Sequence, residues 1–328
     1  MDELHKKTEN FLKNDLTLPI PKDLSSLSPS ERLDLLNVSI QRFFHRIPFQ
    51  NILLISEAPE NRRLPTLDEI VEDVVSGRGG LCFTDNSFFK LALERLGFDA
   101  FHVAASVSAP HSHIIIAVRS VMSEGDCYVV EVGCGYPSFS AISVDFERES
   151  ATYKDSYCTY KLVKRARVEG DEADPYDVYE RWQKQDGVRP ILPKDVRGED
   201  GSWYRFYDFT LEPRSLEYFV PYIGPLYYIP PGIGPFHKMI SISQFPDGKG
   251  VTFKSVIDSS NGTSGKTIKK FVLILEQEDG KSSKKTFLVD DESQFRESLE
   301  VAEELFPLLK NRLLDAFMNF KELDLTGN

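Results

Sequence analysis

Arg78-Gly79-Gly80-Leu81-Cys82 is the stretch whose reading decides the fold. Two glycines let the backbone turn tightly, and Phe88, Leu91, Ala92 and Leu96 then recur at helical spacing up to Gly97. The pattern predicts a helix over 82–96 with Cys82 at its N-terminal end. There the free N–H groups and the helix dipole favour a thiolate, which is the nucleophilic form of cysteine. Such a cysteine also needs a base that takes its proton and a third group that orients the base. His113 and Glu131 are the candidates, because each sits at the end of a run that reads as one arm of a hairpin. A five-residue connection over 120–124 sets the two opposite each other. A tighter turn at Glu124-Gly125 shifts the register and separates them unless a bulge intervenes. Taken singly, Cys82 reads as a small core residue, His113 as a satisfied core histidine and Glu131 as a surface carboxylate.

Upstream of this stretch the chain reads as helical. Ser28-Pro29-Ser30-Glu31 is a capping box with proline at the first helical position, followed by Leu33, Leu36, Ile40 and Phe43 on one face and ended by Pro48. Thr66-Leu67-Asp68-Glu69 opens another helix that stops at Gly77. Downstream of Gly97 the period changes, and β-rich runs at 100–107, 113–118, 128–132, 157–163 and 203–209 predict an antiparallel sheet or barrel. The charged, irregular stretch 169–201 reads as an insertion or surface excursion of that sheet. The last third carries strands at 239–245, 251–257, 271–275 and 286–289, then a helical end from 292 to about 320. Pro221 to Phe236, dense in proline and glycine, reads as a linker or a ligand-facing loop and not as a regular helix. The fold class expected is α+β: an N-terminal helical bundle over 1–97, a central antiparallel β-barrel over 98–210 and a C-terminal α/β lid over 211–328.

The 328 residues include 39 Lys+Arg against 51 Asp+Glu, a formal net charge of −12. An acidic surface repels phosphate backbones, and the one basic cluster, Lys161, Lys164, Arg165 and Arg167, is short and followed by acids, so it reads as solvated surface and not as a nucleic-acid site. Neither a leader peptide nor a membrane-spanning run is evident, which predicts a soluble, cytoplasmic protein without a membrane partner. Cys82, Cys127, Cys134 and Cys158 lack metal-ligand spacing, so no metal is expected and four reduced thiols are. Oligomeric state is left open.

Five motifs in one order resemble the arylamine N-acetyltransferases. Ile47-Pro48-Phe49-Gln50-Asn51 is similar to that family's I-P-F-[EQ]-N, and Arg78 to Cys82 to its R-G-G-x-C, with Asn86 at the matching place in the following helix. His113 to Val118 is similar to the family's histidine-led aliphatic strand, Val130-Glu131-Val132-Gly133-Cys134-Gly135 to V-D-[AV]-G-F-G, and Phe209-Thr210-Leu211-Glu212-Pro213-Arg214 to [FY]-x-L-E-P-R. Together they span most of the chain.

The resemblance implies a cysteine-protease-like core in which Cys82 accepts the acyl group, His113 is its base and Glu131 holds the imidazole. Glu131 departs from the family's usual aspartate by one methylene. His111 shares the parity of His113 and competes with it, and the aliphatic run after His113 decides for the latter. The implied reaction is ping-pong, from acetyl-coenzyme A to an arylamine, arylhydrazine or N-arylhydroxylamine, as in xenobiotic metabolism. Phe49, Val107, Cys134, Tyr136 and Ser138 would line the acceptor pocket, which Cys134 makes roomier than the family's common aromatic. Gly133, Gly135, Phe236 and His237 would contact coenzyme A. The alternatives are another acyl donor such as malonyl-coenzyme A, or a coenzyme-binding homologue that is catalytically weak. A protease or transglutaminase shares the Cys-His-acid arrangement but accounts for neither I-P-F-Q-N nor L-E-P-R.

Overall fold

The computed structural model describes residues 2–165, 176–184, 202–228, 234–259, 267–277 and 279–323. Its first third is helical: α1 (Asp2–Asn10) with a following π-turn (Phe11–Asp15), α2 (Pro29–Arg46), α3 (Ile52–Ser56), α4 (Leu67–Val75) and α5 (Cys82–Arg95). The capping boxes Ser28/Glu31 and Thr66/Glu69 start α2 and α4, with side chain and backbone satisfying each other's free groups. Helix α5 begins at Cys82 as its pattern requires. Residues 82–89 are all buried, so it is a core helix and not an amphipathic surface one.

The central region is one eight-stranded antiparallel sheet: β2 (Asp99–Ser106), β3 (His113–Arg119), β4 (Cys127–Val130), β5 (Ile142–Ser143), β6 (Tyr153–Asp155), β7 (Cys158–Lys164), β8 (Val178–Lys184) and β9 (Trp203–Arg214). A two-residue strand of the first third, β1 (Phe49–Gln50), joins the other sheet. The order β5-β4-β3-β2-β9-β8-β7-β6 leaves two edges. The sheet curls about a shared interior, formed by Val103, Ile115, Val129, Tyr160, Tyr204 and Tyr207, and among the described residues it does not close by pairing.

Two sequence expectations are corrected here. The 169–201 stretch is not wholly a surface excursion, because β8 lies inside the sheet and pairs with β7 and β9 on its two sides. Its residues 169–175 and 185–201, like Arg167, lie outside the described residues. Strand β9 also runs through the boundary expected between 210 and 211.

In the last third, α6 (Val220–Ile223), α7 (Pro225–Tyr228) and α8 (Pro235–Lys238) are single helical turns within the proline-rich stretch, each about as long as proline spacing permits. Then come β10 (Ser241–Gln244), β11 (Val251–Ser259), β12 (Thr267–Glu276) and β13 (Ser282–Leu288), covered by α9 (Glu292–Leu305) and α10 (Lys310–Glu322). The helical end breaks at Phe306-Pro307. The sheet order β1-β10-β11-β12-β13 draws Phe49 and Gln50 into this layer, and Ile52 and Ile55 join its aromatic core of Phe253, Phe271, Phe287, Phe295 and Phe317. The first and last thirds thus share a core. Among the described residues no helix is long and apolar enough to cross a membrane.

Candidate active site

The turn ahead of Cys82 is built by residues far away in sequence. Gly79 has φ +63°, and a Cβ there would lie 2.1 Å from the Pro48 carbonyl oxygen, so only glycine fits. The chain of Ile47 to Gln50 runs alongside: Gln50 N–H donates to Gly80 O (2.8 Å), and its Nε2 donates to Gly79 O (3.0 Å) and Arg78 O (3.3 Å). Arg78 closes the turn with a two-nitrogen pair to Asp73 Oδ1, at 3.1 and 2.8 Å. Asn51 ties the other side, donating to Phe236 O (2.9 Å) and Met239 O (2.6 Å) and accepting from Ser241 N–H (2.8 Å). The two signatures I-P-F-Q-N and R-G-G-x-C are therefore one structural unit.

The hairpin takes neither register expected from sequence. Arg119 pairs with Cys127 and Ile116 with Val130, so the connection spans 120–126. Asp126 sets that length by accepting from the N–H groups of Val121, Met122 and Ser123 at 2.7–2.8 Å. Continued along the strands, this register puts His113 opposite Gly133, with Glu131 on the diagonal. Diagonal neighbours share a face and are within reach of long side chains. His113 Nε2 and Glu131 Oε2 are 2.5 Å apart. With Nε2 so engaged, Nδ1 is the ring nitrogen left for Cys82, whose sulfur is near enough to act on the charge of the imidazole. Gly133 packs on the cysteine, and a Cβ there would be 2.9 Å from Cys82 Cα.

Asn86, one turn after Cys82, fixes the carboxylate: its Nδ2 donates to Glu131 Oε1 (2.8 Å) and Ile114 O (2.8 Å), and its Oδ1 accepts from Val132 N–H (3.1 Å). Gly133 N–H adds a bond to Oε1 (2.8 Å). Cys82, His113 and Glu131 are 5%, 5% and 2% exposed, so the site is closed to solvent. Burial pushes the His113 pKa down, but the Glu131 carboxylate and the Cys82 sulfur outweigh it and hold it up at about 10. Burial likewise pushes Glu131 up, and His113, Asn86 and Gly133 together bring it below the usual carboxylate range.

Around this centre, Gly135 lies against the Phe49 ring, and Phe49 and Phe236 meet edge to face at 6.5 Å. Tyr207 tilts over His113 with centroids 5.5 Å apart. Cys134, Ser138 and Tyr136 follow Glu131 inward; the Cys134 thiol donates to Tyr136 O (3.5 Å), and Tyr136 packs on Phe206. Val107 is exposed beyond the end of β2. His237 is buried with both ring nitrogens occupied, Nδ1 by Arg62 (2.8 Å) and Nε2 by Leu226 O (2.8 Å), which leaves neither for a ligand. His111 turns away to bond the Tyr218 hydroxyl (2.6 Å). A cavity of about 700 Å³ opens beside Gly79, Gly80, Thr84 and Tyr227 but is not lined by the three central residues.

Sequence reasoning treated Gln50, Asn51 and Asn86 as motif letters and passed over Tyr207 and Arg181. Asn86 was within reach, because i and i+4 share a helix face.

An α+β chain that sets a cysteine at a helix start against a histidine–carboxylate pair on a curled antiparallel sheet belongs to the Cys-His-acid class of folds. Residues 32–299 match the N-acetyltransferase family model, and the chain is a member of the arylamine N-acetyltransferase family. Solved structures similar in fold include the arylamine N-acetyltransferase of Mycobacterium abscessus, with 16% identity, TM-score 0.66 and coverage of 98% of this chain and 99% of that one. The Mycobacterium marinum enzyme in complex with CoA has 15% identity and TM-score 0.63, covering 96% and 99%. The Bacillus cereus enzyme, described as having a Cys-His-Glu catalytic triad, has 16% identity and TM-score 0.59, covering 93% and 98%. No curated protein sequence matches the chain.

Proposed function

We propose that the protein is an acetyl-coenzyme A-dependent N-acetyltransferase acting on arylamines and arylhydrazines, and on the oxygen of N-arylhydroxylamines, through an acetyl-Cys82 thioester. The observation that carries this reading is the buried chain from Cys82 through His113 to Glu131. An imidazole whose pKa is held up at about 10 by its carboxylate partner can take and return the proton of the cysteine beside it. The Cys82 sulfur attacks the acetyl carbonyl carbon, the carbon–sulfur bond to coenzyme A breaks, and the departing thiolate takes the proton from His113. In the second half the amine nitrogen attacks the acetyl-Cys82 carbon and gives its proton to His113, and Cys82 leaves as the thiolate. The N–H groups of Cys82 and Phe83 precede the first bonds of α5, which Thr84 and Asp85 N–H make to Leu81 O, and would be the donors for the carbonyl oxygen.

Glu131 serves as the orienting acid; the Bacillus cereus relative's Cys-His-Glu triad supports a glutamate in that role. Coenzyme A as donor is supported by family membership and by the Mycobacterium marinum complex. Its thioester arm would pass between Gly133, Gly135 and Phe236, with His237 limited to a structural part. Phe49, Cys134, Tyr136 and Ser138 would face the acceptor, with Val107 at the rim. Four free cysteines support a reducing, cytoplasmic setting.

Cys82→Ser is expected to lower acetyl transfer to an aromatic amine by at least about 10⁴-fold, as loss of a nucleophile does. Mass spectrometry of the wild type after acetyl-coenzyme A should find one acetyl on Cys82. Full activity in the serine variant would sink the proposal.

A further inference from the structure

Strand β8 carries Arg181 into the interior of the curled sheet, where it is 1% exposed. Its guanidinium lies 4.3 Å from the Tyr160 ring centroid and 6.0 Å from that of Tyr207, and Nη2 donates to Pro137 O (3.3 Å). Its Nε has no partner, and among the described residues no carboxylate is within ion-pair distance. A buried charge without a counter-charge is strongly unfavourable. The reacting site has the opposite excess. In the proposed mechanism Cys82 and His113 share one proton, so with the Glu131 carboxylate the three buried groups sum to one negative charge.

Two side chains separate the two imbalances. Tyr207 tilts over His113 on one side and is the register partner of Arg181 on the next strand. Cys134 lies three residues after Glu131 and on the same interior surface as Arg181. Burial pushes the Tyr207 hydroxyl and the Cys134 thiol up; Glu131 pushes both further and Arg181 pulls both down, so each lies in the field of both charges. The other titratable groups facing Arg181 are Cys158 and Tyr160. Asp155 accepts from the Tyr160 hydroxyl at the far end of that ring and is the rival counter-charge. Asp85, in the first turn of α5 after Cys82, is fully buried, and burial pushes its pKa well up.

We infer that Arg181 is a positioning residue whose charge balances the excess negative charge of Cys82, His113 and Glu131 across Tyr207 and Cys134. This rests on the proposed triad and deepens it. Cys82→Ser tests the triad alone, so the two can fail separately.

The test follows the rate of Cys82 alkylation by iodoacetamide against pH. In Arg181→Met the acid limb should move up by about one pH unit, the size of a neighbouring-charge effect, while Arg181→Lys should leave it within about 0.3 unit. An unmoved limb in folded Arg181→Met would overturn the inference and leave a packing role. Thermal unfolding gives an activity-free reading. Glu131→Gln should lower Tm less in the Arg181→Met background than in the wild type, whereas Asp155→Asn should be additive with Arg181→Met. Additive Glu131→Gln, or coupling to Asp155 in its place, would overturn it. If Arg181→Met does not fold, recovery of a folded protein by adding Glu131→Gln supports the inference, and failure to recover it counts against.

Discussion

On the outer face of β8, Glu180 takes ion pairs from Arg165 (2.7 Å) and Arg205 (3.2 Å) and a hydrogen bond from Trp182 (2.9 Å), whereas one residue later, on the inner face, Arg181 meets rings, thiols and a carbonyl. The outer charges are satisfied one by one at a half-wet surface. The inner ones have no such pairing, and their balance is spread over several side chains in a medium where each charge acts over a longer range. Neighbouring positions on one strand therefore carry different penalties for the same kind of change.

Glu131→Gln is the sharpest way to break that contrast. It keeps the shape, removes the carboxylate charge, and should lower kcat/KM by about 10²–10⁴-fold, the range seen when an orienting acid is lost. Glu131→Asp should recover part of that loss. The same variant tests the pH dependence. His113, raised to about 10, contributes stability that is full below its unfolded value near 6.5 and is lost as pH rises through about 10. Glu131, lowered, contributes stability present above about 4.3 and lost as pH falls through its folded value. The Tm gap between wild type and Glu131→Gln should thus be widest near pH 5–6 and narrow on both sides. A gap flat with pH would mean that His113 and Glu131 do not form an ion pair in the folded protein.

Asn86→Ala comes next. It strips Glu131 of one donor and leaves the Ile114 carbonyl and the Val132 N–H without side-chain partners, so a loss of about 1–3 kcal/mol in stability is expected. Activity should fall with it, and chemical denaturation beside an acetylation assay reads both. Arg165→Ala on the outer face should change stability by less than about 1 kcal/mol, since its side chain is 45% exposed and its ion pairs are screened by solvent. Its acetyl transfer should match the wild type. An effect as large as that of Glu131→Gln would erase the distinction between the faces.

The helix over 82–96, the two capping boxes and most strands were legible from local pattern, because caps, glycine stops and period depend on residues within a turn or two of one another. The register of the hairpin was not. It depends on how Asp126 folds the connection, a choice of two residues that both arms tolerate equally. Strand β8 was hidden because its inward positions are Tyr179, Arg181 and Gln183, a polar set that does not alternate as a half-buried strand should.

By itself, then, the sequence determined a nucleophile-bearing turn, a helical start, an antiparallel middle and the family to which they point. Tertiary structure decided that Gln50 and Asn51 build the turn, that Glu131 reaches His113 on a diagonal, and that an arginine sits behind both. The physical reason is range. Hydrogen-bond geometry and periodicity are written within a few residues, whereas the balance of buried charge is settled only when distant strands close around it.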